Sequence, residues 1–159
     1  MTIRSGGALD VSVLHALTTI TGDLIIGPTV GIQEVTLGEL RVVEGTIHVA
    51  SNGLLQGVYL PRLERAGRIE IDGNVALTMI SLPHLAAVGG AFHITDNASL
   101  ELVDIPALVS IDQELMLSGD PKLTLVEAEQ LQRAATVRLD VPKLSPEVAE
   151  RLRSVAASP

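Results

Sequence analysis

The chain has 159 residues, a formal net charge of −8, no cysteine and only two aromatic residues, Tyr59 and Phe92. The acidic balance argues against nucleic acid or an anionic membrane surface as a partner, because phosphate groups are bound through clusters of lysine and arginine. The absence of cysteine excludes disulfides, thiolate metal sites and a cysteine nucleophile.

The length predicts a single domain over residues 1–159, and the scarcity of aromatic residues predicts an aliphatic core. Residues 1–21 do not contain the continuous apolar block of a signal peptide, and no apolar run is long enough to span a bilayer. We therefore expect a cytoplasmic protein, or an extracellular one if this chain is a domain excised from a longer secreted protein.

A repeat of 22 or 23 residues runs through most of the chain, from residue 22 to residue 141. An apolar residue opens each unit, and a second apolar residue follows it two positions later, which predicts a strand with one face turned to a core. Residues 1–21 fit the same frame more loosely and form a degenerate first coil. The opening residues are Leu24, Ile47, Ile69, Phe92, Leu115 and Val137.

Each unit continues with a turn and a second short strand. The turn position predicts a ladder of side chains that hydrogen-bond to neighbouring backbone, since these residue types favour tight turns. A fixed period in this range indicates a solenoid, here an all-β stack of about six coils of parallel strands, in which each coil buries its apolar face only against its neighbours. The turn residues are Thr29, Asn52, Asn74, Asn97 and Asp120.

The repeat ends after residue 141, and a helix is predicted over residues 145–157. Ser145 is a favoured N-cap residue, Pro146 suits the first helical position, and Glu147 complements the helix dipole. This helix is expected to cover the last coil. No comparable cap is predicted at the N-terminal end, so a partner, a second copy or a missing preceding segment is expected to cover it.

The consensus G-x-L-x-I-x-x-N-x-x-L-x-x-V-x-L-P-x-L-x-x-V-x-G resembles the receptor L domain, the leucine-rich-repeat-like unit of insulin- and epidermal-growth-factor-type receptors. It is also similar to the repeats of lipid-anchored fungal cell-wall proteins. The best matches run from Gly45 to Leu63 and from Gly90 to Ile111. The resemblance implies a right-handed parallel β-helix that recognises proteins and does not catalyse a reaction. The cysteines that flank receptor L domains are absent, and no ligand-binding residue carries over.

One outward-facing position of the repeat is unusual, because it places two histidines and a carboxylate on neighbouring strands. His48, Glu70 and His93 are expected to stand side by side, and such a set can ligate Zn²⁺. The favoured interpretation is that Glu70 pairs with both histidines on a solvated surface. The full row consists of Ile25, His48, Glu70, His93, Met116 and Arg138.

We therefore expect a noncatalytic protein-binding or scaffold module that uses this row as its contact surface and needs no cofactor. One alternative is self-assembly through the uncapped N-terminal coil. A second alternative is a metal-dependent enzyme at His48, Glu70 and His93. No Walker loop, dinucleotide-binding glycine pattern, zinc-protease motif or nucleophile elbow is present.

Overall fold

The computed structural model describes residues 1–3, 14–28 and 31–156. Within these ranges the chain forms a parallel β-solenoid of about six turns that ends in a helix, which confirms the predicted fold class. Residues 4–13 of the predicted N-terminal coil and the turn residue Thr29 lie outside the described residues. The described strands are β1 Thr2–Ile3, β2 Thr19–Ile20, β3 Leu24–Ile26, β4 Glu34–Thr36, β5 Val42–Ala50, β6 Gly57–Tyr59, β7 Arg65–Asp72, β8 Met79–Ser81, β9 Ala87–Val88, β10 Phe92–Thr95, β11 Leu102–Asp104, β12 Ser110–Ser118, β13 Leu125–Glu127 and β14 Arg133–Asp140.

The first sheet has the strand order β1-β3-β5-β7-β10-β12-β14, and each strand pairs in parallel with the corresponding strand of the next coil. The predicted register is confirmed, because Leu24 pairs with Ile47, Ile47 with Ile69, and so on through Phe92 and Leu115 to Val137. All of these side chains are buried except the last, which is half-buried at the end of the stack. Residues that are 22 or 23 positions apart in the sequence therefore stack on one another in the fold.

A second sheet with the order β4-β6-β8-β11-β13 closes the opposite side of each coil. The middle residue of every one of these three-residue strands is buried, and its two neighbours face away from the core. Strands this short cannot bury an apolar face alone, so they depend on the adjacent coils. The buried middle residues are Val35, Val58, Ile80, Val103 and Val126.

The early parts of β5, β7, β12 and β14 form a further row of parallel pairs with β2 and β9. The register shifts between Val43 and Thr46, where the chain bends into the first sheet. Gly67 lies at the matching place in β7, between the partners of Val43 and Thr46. A Cβ atom on Gly67 would overlap with the carbonyl oxygen of Glu44 and lie 2.7 Å from that of Gly45. The close approach of neighbouring coils therefore requires glycine at position 67.

The predicted turn ladder forms in the described coils, where Asn52, Asn74, Asn97 and Asp120 are fully buried. Asn74 donates from its backbone N–H and its side-chain Nδ2 to Oδ1 of Asn97, at 3.1 and 3.0 Å. The same Nδ2 also donates to the carbonyl of Val49, 2.9 Å away. These bonds tie the turn at Asn74 to both neighbouring coils and satisfy its polar groups inside the stack.

The C-terminal helix α1, Pro146–Ser154, covers the last coil as predicted, and it is shorter than the predicted range of 145–157. The Ser145 side chain accepts a hydrogen bond from the N–H of Val148, and Leu152 is buried. After the helix, Ala156 forms a parallel bridge with Ala134, 22 residues earlier. The helix therefore stands in place of the second-sheet strand of this coil, and the chain then returns to the register of the repeat.

Candidate functional site

The structure places the predicted outward row in one line across six strands. Ile25 pairs with His48, His48 with Glu70, and Glu70 with His93, and the row continues through Met116 to Arg138. The residues on either side of the first five row positions are buried and those beside Arg138 are half-buried, so alternation points these six side chains outward. We call this row of six residues, from Ile25 to Arg138, the first-sheet face.

The predicted pairing of Glu70 with both histidines is wrong. Its Oε1 atom lies 2.7 Å from Nε of Arg68, on its own strand. His48 instead donates from Nε2 to Oδ1 of Asp72, 3.0 Å away on the next strand. Side chains on a sheet reach diagonal neighbours as well as those directly opposite, and an arginine, which is always charged, competes for Glu70.

Glu114 joins two members of the first-sheet face. Its Oε2 atom lies 3.1 Å from Nε2 of His93, and its Oε1 atom lies 2.8 Å from Nε of Arg138. His93 and Glu114 are each less than a quarter exposed, so this pair is better shielded from solvent than the pair of His48 and Asp72. The charged and imidazole side chains of the first-sheet face are thus paired with residues that lie beside the row.

The geometry gives no support to the alternative of a metal at His48, Glu70 and His93. Among the residues that the structure describes, no three His, Cys, Asp or Glu side chains are grouped so that they could hold a metal ion. The two histidines lie on strands two apart, roughly 9.6 Å, and each bonds to a different carboxylate. The expectation that the protein needs no cofactor stays a prediction.

A second polar cluster, around a surface depression, includes Arg41, Arg62, Glu64 and His84. Arg41 is paired with Glu64 at 2.7 Å, and Arg62 is paired with Glu39 at 2.6 Å. The Nδ1–H group of His84 donates to a backbone carbonyl of the preceding coil at 2.6 Å. Arg41, Arg62 and His84 thus each bond to an acceptor within the protein.

The sequence did not predict that burial shifts the pKa of Asp120. Its Oδ1 atom accepts hydrogen bonds from the backbone and the side chain of Asn97, whereas its buried Oδ2 atom has no hydrogen-bond partner among the described residues. Burial is the main cause that raises the pKa of Asp120 to about 6, and the hydrogen bonds from Asn97 partly offset this effect. The indication in the sequence was that Asp120 stands at the turn position where the three preceding repeats carry asparagine.

The sequence Asn97-Ala98-Ser99 matches a glycosylation site, but the folded structure makes it inaccessible. The Asn97 side chain is fully buried, and its amide donates to the carbonyls of Ile71 and Thr95. An amide committed to these bonds cannot accept a glycan without unfolding of the turn.

Asp72 and Glu114 also belong to the polar surface of the first sheet, outside the predicted row of six residues. Each stands two positions from a member of the first-sheet face, on the same side of its strand. Period-two alternation predicts an outward position for Asp72, on the row that flanks the first-sheet face, and the same rule identifies Glu114.

No protein-family model, curated protein or solved structure matches this chain. The described helix is too short and too polar to cross a membrane. A functional assignment therefore depends on the surfaces that the solenoid presents.

Proposed function

We propose that this protein is a noncatalytic binding or scaffold module that contacts another protein through the first-sheet face. The observation that carries the proposal is the unbroken register of six outward side chains across hydrogen-bonded strands. A paired sheet holds its backbone rigid, so such a surface loses little conformational entropy when a partner binds. The row combines apolar residues at Ile25 and Met116 with charged and imidazole groups, a mixture typical of protein interfaces.

The resemblance of the repeat to receptor L domains supports this proposal, since that family uses its β-helix for protein recognition. The solenoid fold agrees with the resemblance, whereas membership of the family is itself part of the proposal. The net charge of −8 favours a protein partner over nucleic acid. The absence of cysteine is compatible with a reducing compartment, and we propose a cytoplasmic partner.

A photo-crosslinking experiment tests the proposal directly. A photoreactive amino acid is placed at Met116 on the first-sheet face or, as a matched control, at Thr36 on the opposite sheet. We expect a specific protein adduct from position 116 that does not form from position 36.

The double variant His48→Ala/Met116→Ala should lose the same adduct, with the crosslinker moved to position 25. The surface variant Thr36→Ala/Ser81→Ala provides the control and should retain it. The proposal is wrong if the His48/Met116 variant binds the captured protein as tightly as the unmodified chain does.

A further inference from the structure

The outer face of the second sheet differs from the first-sheet face, because it has an apolar row and charges of one sign. Met79 pairs with Leu102, and Leu102 pairs with Leu125, so the three side chains stand in line along the solenoid axis. Leu125 is 43% exposed, and the other two are partly exposed. At the N-terminal end of the row, the ring of Tyr59 lies over Gly57 and extends the apolar surface.

The charged residues in the five strands of this sheet are all acidic: Glu34, Asp104 and Glu127. Asp104 and Glu127 stand two positions after Leu102 and Leu125, on the same side of their strands, and therefore flank the apolar row. None of the ion pairs found within the described residues involves these carboxylates. On the first-sheet face, by contrast, each charged or imidazole side chain has an oppositely charged or carboxylate partner.

We propose that this surface, the second-sheet face of Met79, Leu102, Leu125, Asp104 and Glu127, binds a basic amphipathic helix of another protein. The apolar side of the helix lies along the row of Met79, Leu102 and Leu125. Lysine or arginine side chains at its margin lie beside Asp104 and Glu127. This site is separate from the first-sheet face and does not depend on the function proposed for it.

The spacing of the row fits a helix that lies along the solenoid axis. Parallel strands repeat about every 4.8 Å, so the row presents an apolar side chain at that interval. One turn of an α-helix rises about 5.4 Å, so leucines spaced three or four residues apart keep nearly the same interval. Over two intervals the mismatch is roughly 1 Å, which long flexible side chains absorb.

The charge pattern selects a basic partner. Carboxylates without cationic partners attract lysine and arginine, and they repel an acidic helix. The chain's own helix is not the occupant, because its apolar residues Ala149 and Leu152 are already buried at the end of the stack. A second copy of this chain therefore offers no free helix of the required kind among its described residues.

The test uses the full chain and a synthetic helical peptide of about 15 residues, with leucine at every third or fourth position and lysine at the flanks. Binding is measured by fluorescence anisotropy at several salt concentrations. We expect Leu102→Thr/Leu125→Thr to weaken binding about tenfold or more, since threonine keeps the strand and removes most of the apolar contact. Asp104→Asn/Glu127→Gln should weaken binding at low salt and flatten its salt dependence.

Two matched variants keep the result specific. Val75→Thr/Val109→Thr changes exposed apolar residues elsewhere, and Glu147→Gln/Glu150→Gln removes two acids from α1; both should bind the peptide as the unmodified chain does. A peptide with serine in place of leucine should bind weakly. The first-sheet variant His48→Ala/Met116→Ala should keep full peptide affinity, which separates the two proposals.

Three results would overturn the proposal. The first is that the unmodified chain does not bind the peptide. The second is that the control variants lose as much affinity as the second-sheet variants, which would mean nonspecific attraction to an acidic protein. The third is a dimer in light scattering that Leu102→Thr/Leu125→Thr dissociates, because the occupant would then be a second copy. Circular dichroism of each variant verifies that the fold is intact.

Discussion

Asp120 occupies the turn position at which the three preceding coils carry asparagine. An asparagine can donate and accept at once, so it links both neighbouring coils, as Asn74 and Asn97 do. An ionised aspartate can only accept, and within the part of the chain that the structure describes its Oδ2 atom has no hydrogen-bond partner. The protonated form resembles asparagine more closely, because it regains a donor.

The replacement Asp120→Asn should stabilise the protein, and the gain should depend on pH. The folded pKa of about 6 lies above the ordinary value of 3.8, so the original chain is most stable relative to the variant below pH 4 and loses that stability as the pH rises through 6. At pH 7.5 we expect a gain of at most about 3 kcal/mol. Near pH 4 the two proteins should have nearly equal free energies of unfolding.

Urea denaturation of both proteins from pH 4 to pH 8 provides the measurement. The difference between the two curves cancels the titration of all groups common to both chains. A difference that stays constant with pH would contradict the proposed burial of an ionisable carboxyl at position 120.

At the scale of the element, the coils approach one another most closely at the bend beside Gly67. The backbone of the preceding coil occupies the space that a Cβ atom would need, and backbone cannot move aside as a flexible side chain can. Gly53, which follows the turn residue of the preceding coil, lies in open space, with no atom within 4 Å of an added Cβ. The two glycines therefore have different structural roles.

Gly67→Ala should destabilise the protein by about 1–3 kcal/mol, because the coils must move apart to admit the methyl group. Gly53→Ala is the matched control and should change the free energy of unfolding by no more than about 0.5 kcal/mol. Thermal and urea unfolding of the two variants measure both values. Equal effects at the two positions would show that contact between the coils is not the cause.

The helix α1 should protect the end of the stack, so weakening its packing should destabilise β14 more than the other strands. Leu152 is 1% exposed, and we expect Leu152→Ala to cost about 2–4 kcal/mol. The exposed neighbour Arg153 gives a control, Arg153→Ala, with little effect. Relative to the unmodified chain, hydrogen exchange in the Leu152→Ala variant should accelerate more in β14 than in β7. A uniform loss of protection would instead indicate that the whole chain unfolds as one unit.

At the scale of the whole molecule, the solenoid makes contacts mainly between adjacent coils. The buried valines of the second sheet illustrate this, because Val103 stands beside Val126 and Val58 lies three coils away from it. Roughly 14 Å separates the distant pair at the usual strand spacing. Stability should therefore behave as a sum of local and nearest-neighbour contributions.

The double variant Val58→Ala/Val126→Ala should lose the sum of the two single losses, within about 0.5 kcal/mol. Val103→Ala/Val126→Ala should depart from the sum by a larger amount, because the two cavities adjoin. Equilibrium unfolding of the singles and doubles gives both interaction energies. A larger departure for the distant pair would show that the stack transmits changes beyond adjacent coils.

The sequence by itself determined the period, the strands and nearly all of the core, as the stacked register from Leu24 to Leu115 shows. It could do so because every coil repeats the same apolar positions, and the only way to bury them is to align the repeats. It also determined which side chains form the first-sheet face, since alternation along a strand is a local property.

Only the tertiary structure decided which of those side chains pair with one another. Glu70 lies beside Arg68, and Asp72 and Glu114 bond to the two histidines, because diagonal neighbours and flexible side chains compete for each charge. The structure also placed α1 where the last second-sheet strand would run and returned Ala156 to the register of the repeat. These features depend on contacts between coils that no single repeat contains.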